Sequence, residues 1–600
     1  MKYNSQRNYV NSFNNYVNKG KIKLNKQIKI GQLKPFKEAV LHKNFREMLN
    51  YSAREYKDVT AFILKQKLGR DQVKYDYITY EMFRNQVEAV GTAMLQNGLK
   101  DKTIAIVGNN SYNWLVSYFA TLGGIGTCVP LDKGLPFEEL ASSLERSYSD
   151  VLIFDKEHKK LVDQLKETNT CVKEYICMDE IEGFTSINEL TAQGKNAIAE
   201  GFVEYRELPI DENAITILLF TSGTTSMAKA VMLSQYNILA NIQSILTVED
   251  VHVGDVNMAF LPYHHTFGST GQFAMIAAGV TTAYCDGLKY LQKNLVEYKV
   301  SVFFCVPLLI ESIYKKVMQN VKKQGKEKTV EFGIKLSKFL LKFGIDIRRK
   351  LFKEVLEQLG GNIRFIISGA AAIDPEALAG FNAFGITTVQ GFGMTEAAPV
   401  ICAENKNEMS NGSIGKALPG VEVRIDNPNE EGVGELIARG PNVMAGYFEN
   451  QEDTDKTIVD GWLHTGDLAY EKNGFAFICG RKKNVIVLKN GKNVYPEEIE
   501  VLISNLEYVE ECMVYGYPRK EDDPLDLAIG TKIVYKADIM KDNYNATSLE
   551  EIEKAIKADV EKINKTMPVY KQINKVIVTD EPMIKTTTGK VKRYEETKNL

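Results

Sequence analysis

A chain of 600 residues, 44% hydrophobic and 25% charged, is too long for one core and too apolar for disorder, so it divides into a large body and at least one further domain. Its formal net charge of -3 excludes a global pull toward nucleic acid, and no nucleic-acid partner is expected. The eight cysteines include no CxxC pair, which excludes a zinc framework or disulfide scaffold and favours free thiols in a reducing cytoplasm.

In chain order, residues 1–40 begin polar and Asn-rich and are expected to form an arm, helical or without fixed structure. No apolar run reaches the roughly 18–20 residues that span a bilayer, so membrane contact is expected only from the surface, at the inner face of the membrane. Residues 41–480 read as one large domain. In it, helical stretches alternate with short apolar runs at 103–108, 150–155, 214–223, 300–307 and 363–372. Such runs suit strands buried on both faces, and their spacing leaves room for crossover helices. The fold class expected is α/β, with a large N-terminal body of mainly parallel sheets.

Within that body, residues 315–353 carry thirteen Lys or Arg against three acidic residues. Phe332, Leu336, Phe339, Leu340, Phe343, Ile347 and Leu351 recur there at helical spacing. A basic amphipathic segment of this kind suits an anionic membrane surface, or else a solvated helix with one face packed on the body. Between residues 412 and 480, short strand-like pieces separated by Gly and Pro predict an antiparallel β subdomain. Residues 481–600 predict a small α+β C-terminal domain with a lysine-rich tail.

The chemistry concentrates at residues 220–234, FTSGTTSMAKAVMLS, directly after an apolar strand. Thr221, Ser222, Thr224 and Thr225 with Gly223 make a hydroxyl-rich turn whose backbone N–H groups can wrap phosphate oxygens, and Lys229 adds positive charge. The Walker pattern GxxxxGK[ST] is absent here, which disfavours a P-loop kinase or hydrolase. The segment resembles the phosphate loop of the adenylate-forming superfamily, [YF]TSGTTGxPKG, found in acyl-CoA synthetases, luciferases and peptide-synthetase adenylation domains. Three positions depart from that pattern: Ser226 and Ala230 replace Gly, and Ala228 replaces Pro. Where position 226 needs a left-handed backbone, serine costs about 1 kcal/mol.

The resemblance extends over residues 45–595, with its motifs in the family's order. In LPYHHTFG, residues 261–268, it implies that His265 lies beside the reacting carboxylate, where an imidazole can donate to developing negative charge. Phe267 and Gly268 would then shape the acyl tunnel. In SGAAAIDP, residues 368–375, it implies that Gly369, Ala370 and Ala371 line the adenine pocket. In QGFGMTEAAP, residues 390–399, Gln390 and Gly391 join the nucleotide site and Phe392 offers a face to adenine where the family usually has Tyr. Thr395 would reach the α-phosphate, and Glu396 is a hard oxygen ligand for magnesium. Asp467 and Arg481 are implied as ribose contacts, Lys483 as the hinge of a mobile C-terminal domain and Gly491 as part of the thiol channel. KTTTGKVKR, residues 585–593, places Lys590 where the family keeps its catalytic lysine.

The implied reaction is a two-step ligation using ATP, magnesium and coenzyme A, with Lys590, His265, Thr395 and Lys229 as the catalytic side chains. A carboxylic acid, expected to be a medium- to long-chain fatty acid, becomes an acyl-adenylate with release of pyrophosphate and then passes to a thiol. Residues 348–372 and 480–500 resemble long-chain acyl-CoA synthetases. Two alternatives stay open in the sequence: transfer to an acyl carrier protein, and a non-catalytic protein that binds acyl groups or nucleotides.

Overall fold

The computed structural model describes residues 27–69, 72–168, 171–221, 228–371, 373–520, 523–585 and 591–598. Two large sheets build the body. The first runs in space through Gly446–Tyr447, Lys229–Ser234, Ile215–Thr221, Gly126–Leu131, Lys102–Val107, Val151–Phe154, Glu174–Cys177 and Thr185–Ser186. It is parallel from Ile215–Thr221 to Thr185–Ser186 and antiparallel at the two remaining strands.

The second runs through Lys416–Ala417, Val400–Ala403, Thr387–Gly393, Phe365–Ser368, Val302–Cys305, Val256–Ala259, Thr281–Tyr284, Thr60–Lys67 and Val73–Thr79. Its central strands are parallel. Each apolar run anticipated as a strand overlaps one of these, and Val151–Phe154, Val302–Cys305 and Phe365–Ser368 are buried at every position. Strands covered by helices on both faces have to be apolar throughout.

Aromatic rings fill the core beside the helix Thr266–Ala277 that carries part of the site. Phe45, Phe119 and Phe273 meet edge to face, with centroids 5.1–5.5 Å apart. Burying each such ring stabilises the body by about 1.5–3 kcal/mol.

The β subdomain is a third, wholly antiparallel sheet of Gln27–Lys29, Glu422–Asp426, Gly434–Arg439, Trp462–Lys472, Ile458–Val459 and Phe475–Arg481. Buried and half-buried positions alternate along Trp462–Lys472, the mark of a sheet with one covered face. The described part of the N-terminal arm differs from expectation. Gln27–Lys29 pairs with Glu422–Asp426, and Ile30 and Leu33 are buried in this subdomain, so apolar burial recruits the arm as an edge strand.

The C-terminal domain packs helices Pro496–Ser504 and Leu549–Thr566 on strands Val509–Lys520, Asp523–Tyr535 and Ile573–Thr579. Ser548 and Glu551 form a capping box that satisfies the first N–H groups of the longer helix.

The basic segment contains helices Pro307–Lys323 and Glu327–Leu341. The second packs through Val330, Gly333 and Ser337. Its aromatic stripe faces away from the body: Phe332, Phe339 and Phe343 are 67%, 56% and 65% exposed. Among the described residues, no helix is long and apolar enough to cross a membrane.

Candidate active site

Parallel strands leave their ligand-binding loops at their carboxyl ends, and both body sheets follow that rule here. Strand Ile215–Thr221 ends at Thr221, and the chain returns as Lys229–Ser234 with Thr221 paired against Lys229. The Thr221 hydroxyl donates to the Lys229 carbonyl at 3.3 Å, pinning the base of the loop. Ser222, Gly223, Thr224, Thr225 and Ser226 lie outside the described residues. Arg146 donates to the Ala228 carbonyl at 2.7 Å while its guanidinium lies 5.4 Å over Phe220. Ala230 sits opposite Phe220 in the ladder, in extended backbone that alanine adopts without strain.

Lys229 is the centre of a connected group. Its Nζ lies 2.9 Å from Asp453 Oδ2 and 4.8 Å from the centre of the Tyr447 ring. Hydrogen bonds from Lys229 and Asn450 hold the Asp453 carboxyl below its usual range. Burial pushes the Tyr447 phenol up, so it stays protonated and its O–H donates a hydrogen bond to Glu396 Oε1 at 2.8 Å. Glu396 stands on the short turn Thr395–Ala397, which the Met394 N–H closes onto the Pro399 carbonyl at 2.9 Å. Gly393 is required beside it, since a Cβ there would lie 1.9 Å from that carbonyl oxygen. The second carboxylate oxygen of Glu396 takes no hydrogen bond among the described residues. A hard oxygen near a lysine fits a magnesium ion that is otherwise held by ATP phosphates and water.

The acid side of the crevice follows strand Val256–Ala259. Asn110, beyond the end of a first-sheet strand, donates to the Leu261 carbonyl at 2.7 Å and accepts from the Tyr263 N–H at 3.0 Å. That side chain ties the two sheets together at their carboxyl edges. His265 is the N-cap residue of helix Thr266–Ala277, and the next hydroxyl, of Thr266, lies 3.5 Å from that of Thr395. Only glycine fits at 268, where a Cβ would lie 2.1 Å from the Pro262 carbonyl oxygen. A Cβ at Gly369 would meet the Phe267 ring at 2.9 Å, and Phe267 packs on Phe304 with centroids 6.2 Å apart. Phe267, Phe304 and Gly369 thus make an apolar wall next to His265.

The residues expected to line the nucleotide pocket follow adjacent parallel strands, with Ser368 paired to Gln390. This places Gly369, Ala370 and Ala371 next to Gly391 and Phe392. Ala370 is left-handed, with φ 71°. The Gln390 amide donates to the Ser413 carbonyl and braces the neighbouring turn. Across the crevice, Asp467 and Arg481 face each other in register, with Arg481 Nε 2.8 Å from Asp467 Oδ1.

Just beyond, Lys482 Nζ and His464 Nδ1 lie 2.9 and 3.0 Å from Glu435 Oε2. Burial alone would raise the Glu435 carboxyl, but His464 and Lys482 outweigh it and bring it down to about 2. Partial desolvation lowers the Lys483 ammonium. The positive charges of Arg481 and Arg593 add to that effect, Asp467 opposes it, and Lys229 contributes too. The proposed hinge therefore shares one electrostatic neighbourhood with the phosphate and ribose groups.

Lys590 lies outside the described residues. On either side of it, Lys585 and Val591 form a bridge, and Arg593 donates to the Val514 carbonyl at 3.0 Å and pairs with Glu500. Gly491 forms a left-handed turn, φ 77°, in the hairpin of Ile486–Val487 and Asn493–Val494. No contact among the described residues links it to the crevice. Sequence reasoning missed Arg146, Asn110, Tyr447, Asp453 and Glu435. None stands in a motif, and each gains its role by folding back from a distant part of the chain.

Among the described residues, the candidate site thus brings together Lys229, the turn of Glu396 and the paired Asp467 and Arg481. The family model for AMP-binding enzyme matches residues 49–448, and that for the AMP-binding enzyme C-terminal domain matches residues 483–599. The chain belongs to the AMP-binding enzyme family. Its similar curated relatives narrow this further. Long chain acyl-CoA synthetase 4 of Arabidopsis thaliana is 28% identical over 499 residues, covering 75% of this chain and 73% of the relative. Long-chain-fatty-acid–CoA ligase 6 of Rattus norvegicus is 26% identical over 479 residues, covering 74% and 68%. Among solved structures, an anthranilate CoA ligase in complex with anthranoyl-AMP matches with a TM-score of 0.71 at 19% identity, covering 93% of this chain and 98% of that one. ATP-bound MatB from Rhodopseudomonas palustris matches at 0.70 and 22% identity, covering 93% and 99%. These likenesses bear out the expected fold.

Proposed function

We infer that the protein is an AMP-forming acid–thiol ligase that activates long-chain fatty acids with ATP and passes the acyl group to coenzyme A. The observation that carries this reading is the chain Lys229–Tyr447–Glu396 at the carboxyl ends of two sheets, with an apolar wall on one side and Asp467–Arg481 on the other. The names of the relatives favour coenzyme A over a carrier protein as the acceptor.

A fatty acid is ionised near pH 7, so it needs no general base. Its oxygen attacks the α-phosphorus of ATP, a mixed acyl–phosphate anhydride forms, and the bond to pyrophosphate breaks. In the second half, the thiol of coenzyme A attacks the acyl carbon and AMP leaves. Two anions approach in the first half, and positive groups aimed at the developing charge lower that barrier. Lys229, Lys590 and a His265 N–H are the groups assigned to it, with Thr395 on the α-phosphate. When bound, magnesium held by Glu396 neutralises phosphate charge. Thr221, Ser222, Gly223, Thr224 and Thr225 cradle phosphate. Phe392 stacks on adenine beside residues 369–371 and Gly391, and Asp467 with Arg481 holds ribose. Lys483 is assigned as the hinge that withdraws Lys590 and brings Gly491 toward the thiol. Fatty-acid-dependent ATP–pyrophosphate exchange over a chain-length series tests this. Exchange that peaks with long chains is expected, and no exchange with any acid would overturn it.

We further place the protein in the cytoplasm, with its eight free thiols, and at the surface of an anionic membrane. Phe332 and Phe339 on helix Glu327–Leu341, and Phe343 just past its end, are exposed among Lys328, Lys335, Lys338 and Lys342. Exposed rings ringed by lysines suit shallow insertion between acidic headgroups.

A further inference from the structure

Leu131 ends a strand of the first sheet and Ala259 a strand of the second, and the loops that follow bring Asp132 against His264 and His265. One ligand atom from each of the three side chains lies within 4.8 Å of the others, the only such group of His, Cys, Asp or Glu among the described residues. The two imidazole rings have centroids 4.2 Å apart. His264 is 9% exposed, and its buried Nε2 has no hydrogen-bond partner. Asp132 Oδ1 stands 3.4 Å from that atom. This exceeds the roughly 2.7–3.2 Å of an N–H···O bond. It matches the edge of a tetrahedron whose ligands sit about 2.0–2.1 Å from a zinc ion. A buried imidazole nitrogen without a hydrogen bond costs stability, and a metal ion would remove that cost.

We propose that Asp132, His264 and His265 form a binding site for a divalent transition metal such as zinc, distinct from the magnesium position at Glu396. Two imidazoles and one carboxylate suit zinc or cobalt and not magnesium, which prefers six oxygens. Three protein ligands leave a fourth position for water or a carboxylate oxygen. Binding draws His265 onto the ion and away from the reacting acid, so zinc inhibits adenylation. That consequence rests on the proposed function, whereas the binding itself does not.

Calorimetric titration of the full-length, metal-free protein with zinc, without ATP or acid, tests the site directly. One ion per chain is expected, and cobalt(II) should give the visible spectrum of a tetrahedral ion with nitrogen and oxygen ligands. His264→Asn and Asp132→Asn should each weaken zinc binding at least tenfold, with circular dichroism verifying the fold of both variants. Absent binding, unchanged affinity in both folded variants, or a thiolate charge-transfer band from the cysteines would overturn the site. Zinc that binds without slowing ATP–pyrophosphate exchange would overturn the role given to His265. A total lack of exchange would instead sink the ligase reading and leave the zinc titration standing.

Discussion

Ala370 shows how a single residue in the proposed nucleotide pocket carries strain. Its φ of 71° is a conformation that alanine adopts at a cost of about 1 kcal/mol or more. Ala370→Gly is expected to raise stability by about 0.5 kcal/mol after the entropy lost by glycine, read as the denaturant midpoint. A lower midpoint would show that the Ala370 methyl group contributes packing.

Glu435 makes a pH prediction. Its folded pKa of about 2 lies below its ordinary value of 4.5, so its contribution is full above pH 4.5 and is lost as pH falls toward 2. The difference corresponds to about 3 kcal/mol. The unfolding free energies of the native protein and Glu435→Gln should differ most at pH 6, with the gap shrinking as pH falls below 4.5 and closing below about pH 2. Parallel curves would remove the assignment. Asp467 is buried and paired with Arg481. Asp467→Ala should raise the ATP concentration for half-maximal exchange at least tenfold, since it removes charge-assisted hydrogen bonds worth about 1.5–3 kcal/mol. Unaltered ATP dependence would displace Asp467 from the ribose.

At the scale of the element, helix Glu327–Leu341 has two faces with different fates. Val330, Gly333 and Ser337 lock it to the body, while Phe332, Phe339 and, just past its end, Phe343 remain in water. Each ring moved from water to an apolar interface contributes up to about 1.5–3 kcal/mol, and each nearby lysine about 1 kcal/mol on an anionic surface. Native protein should co-sediment with vesicles containing phosphatidylserine and less with pure phosphatidylcholine. Replacing the three phenylalanines by alanine should cut binding at least tenfold without lowering the thermal midpoint. Equal binding by the variant would move the membrane contact elsewhere.

At the scale of the whole molecule, the proposed hinge is anchored on both sides. Glu435 holds Lys482 to the β subdomain, and Asn484 donates to Glu497 of the small domain at 2.6 Å. A pivot at Lys483 would lie between these two attachments, so turning about it would move Lys590 while the proposed ribose pair stays in place. Lys590→Ala is expected to abolish acyl-adenylate formation, by at least a hundredfold, and to leave thiol transfer from added acyl-adenylate nearly intact. Equal loss of both half-reactions would contradict a domain that turns.

The sequence by itself determined what depends on local order. Buried parallel strands must be apolar at every position, so the runs at 103–108, 150–155, 214–223, 300–307 and 363–372 announced themselves. Loops that bind phosphate need hydroxyls, glycine and lysine close together, so residues 220–234 declared the chemistry. Tertiary structure alone decided what depends on long-range closure. Tyr447 and Asp453 meet Lys229 only because Gly446–Tyr447 pairs with Lys229–Ser234, and no periodicity encodes that pairing. The arm gained its strand from a partner far along the chain. The aromatic stripe near residue 339 read as a face that could pack on the body, yet the smaller residues Val330, Gly333 and Ser337 fill that place. Helical spacing fixes which residues share a face, but only the neighbouring elements determine which face is buried.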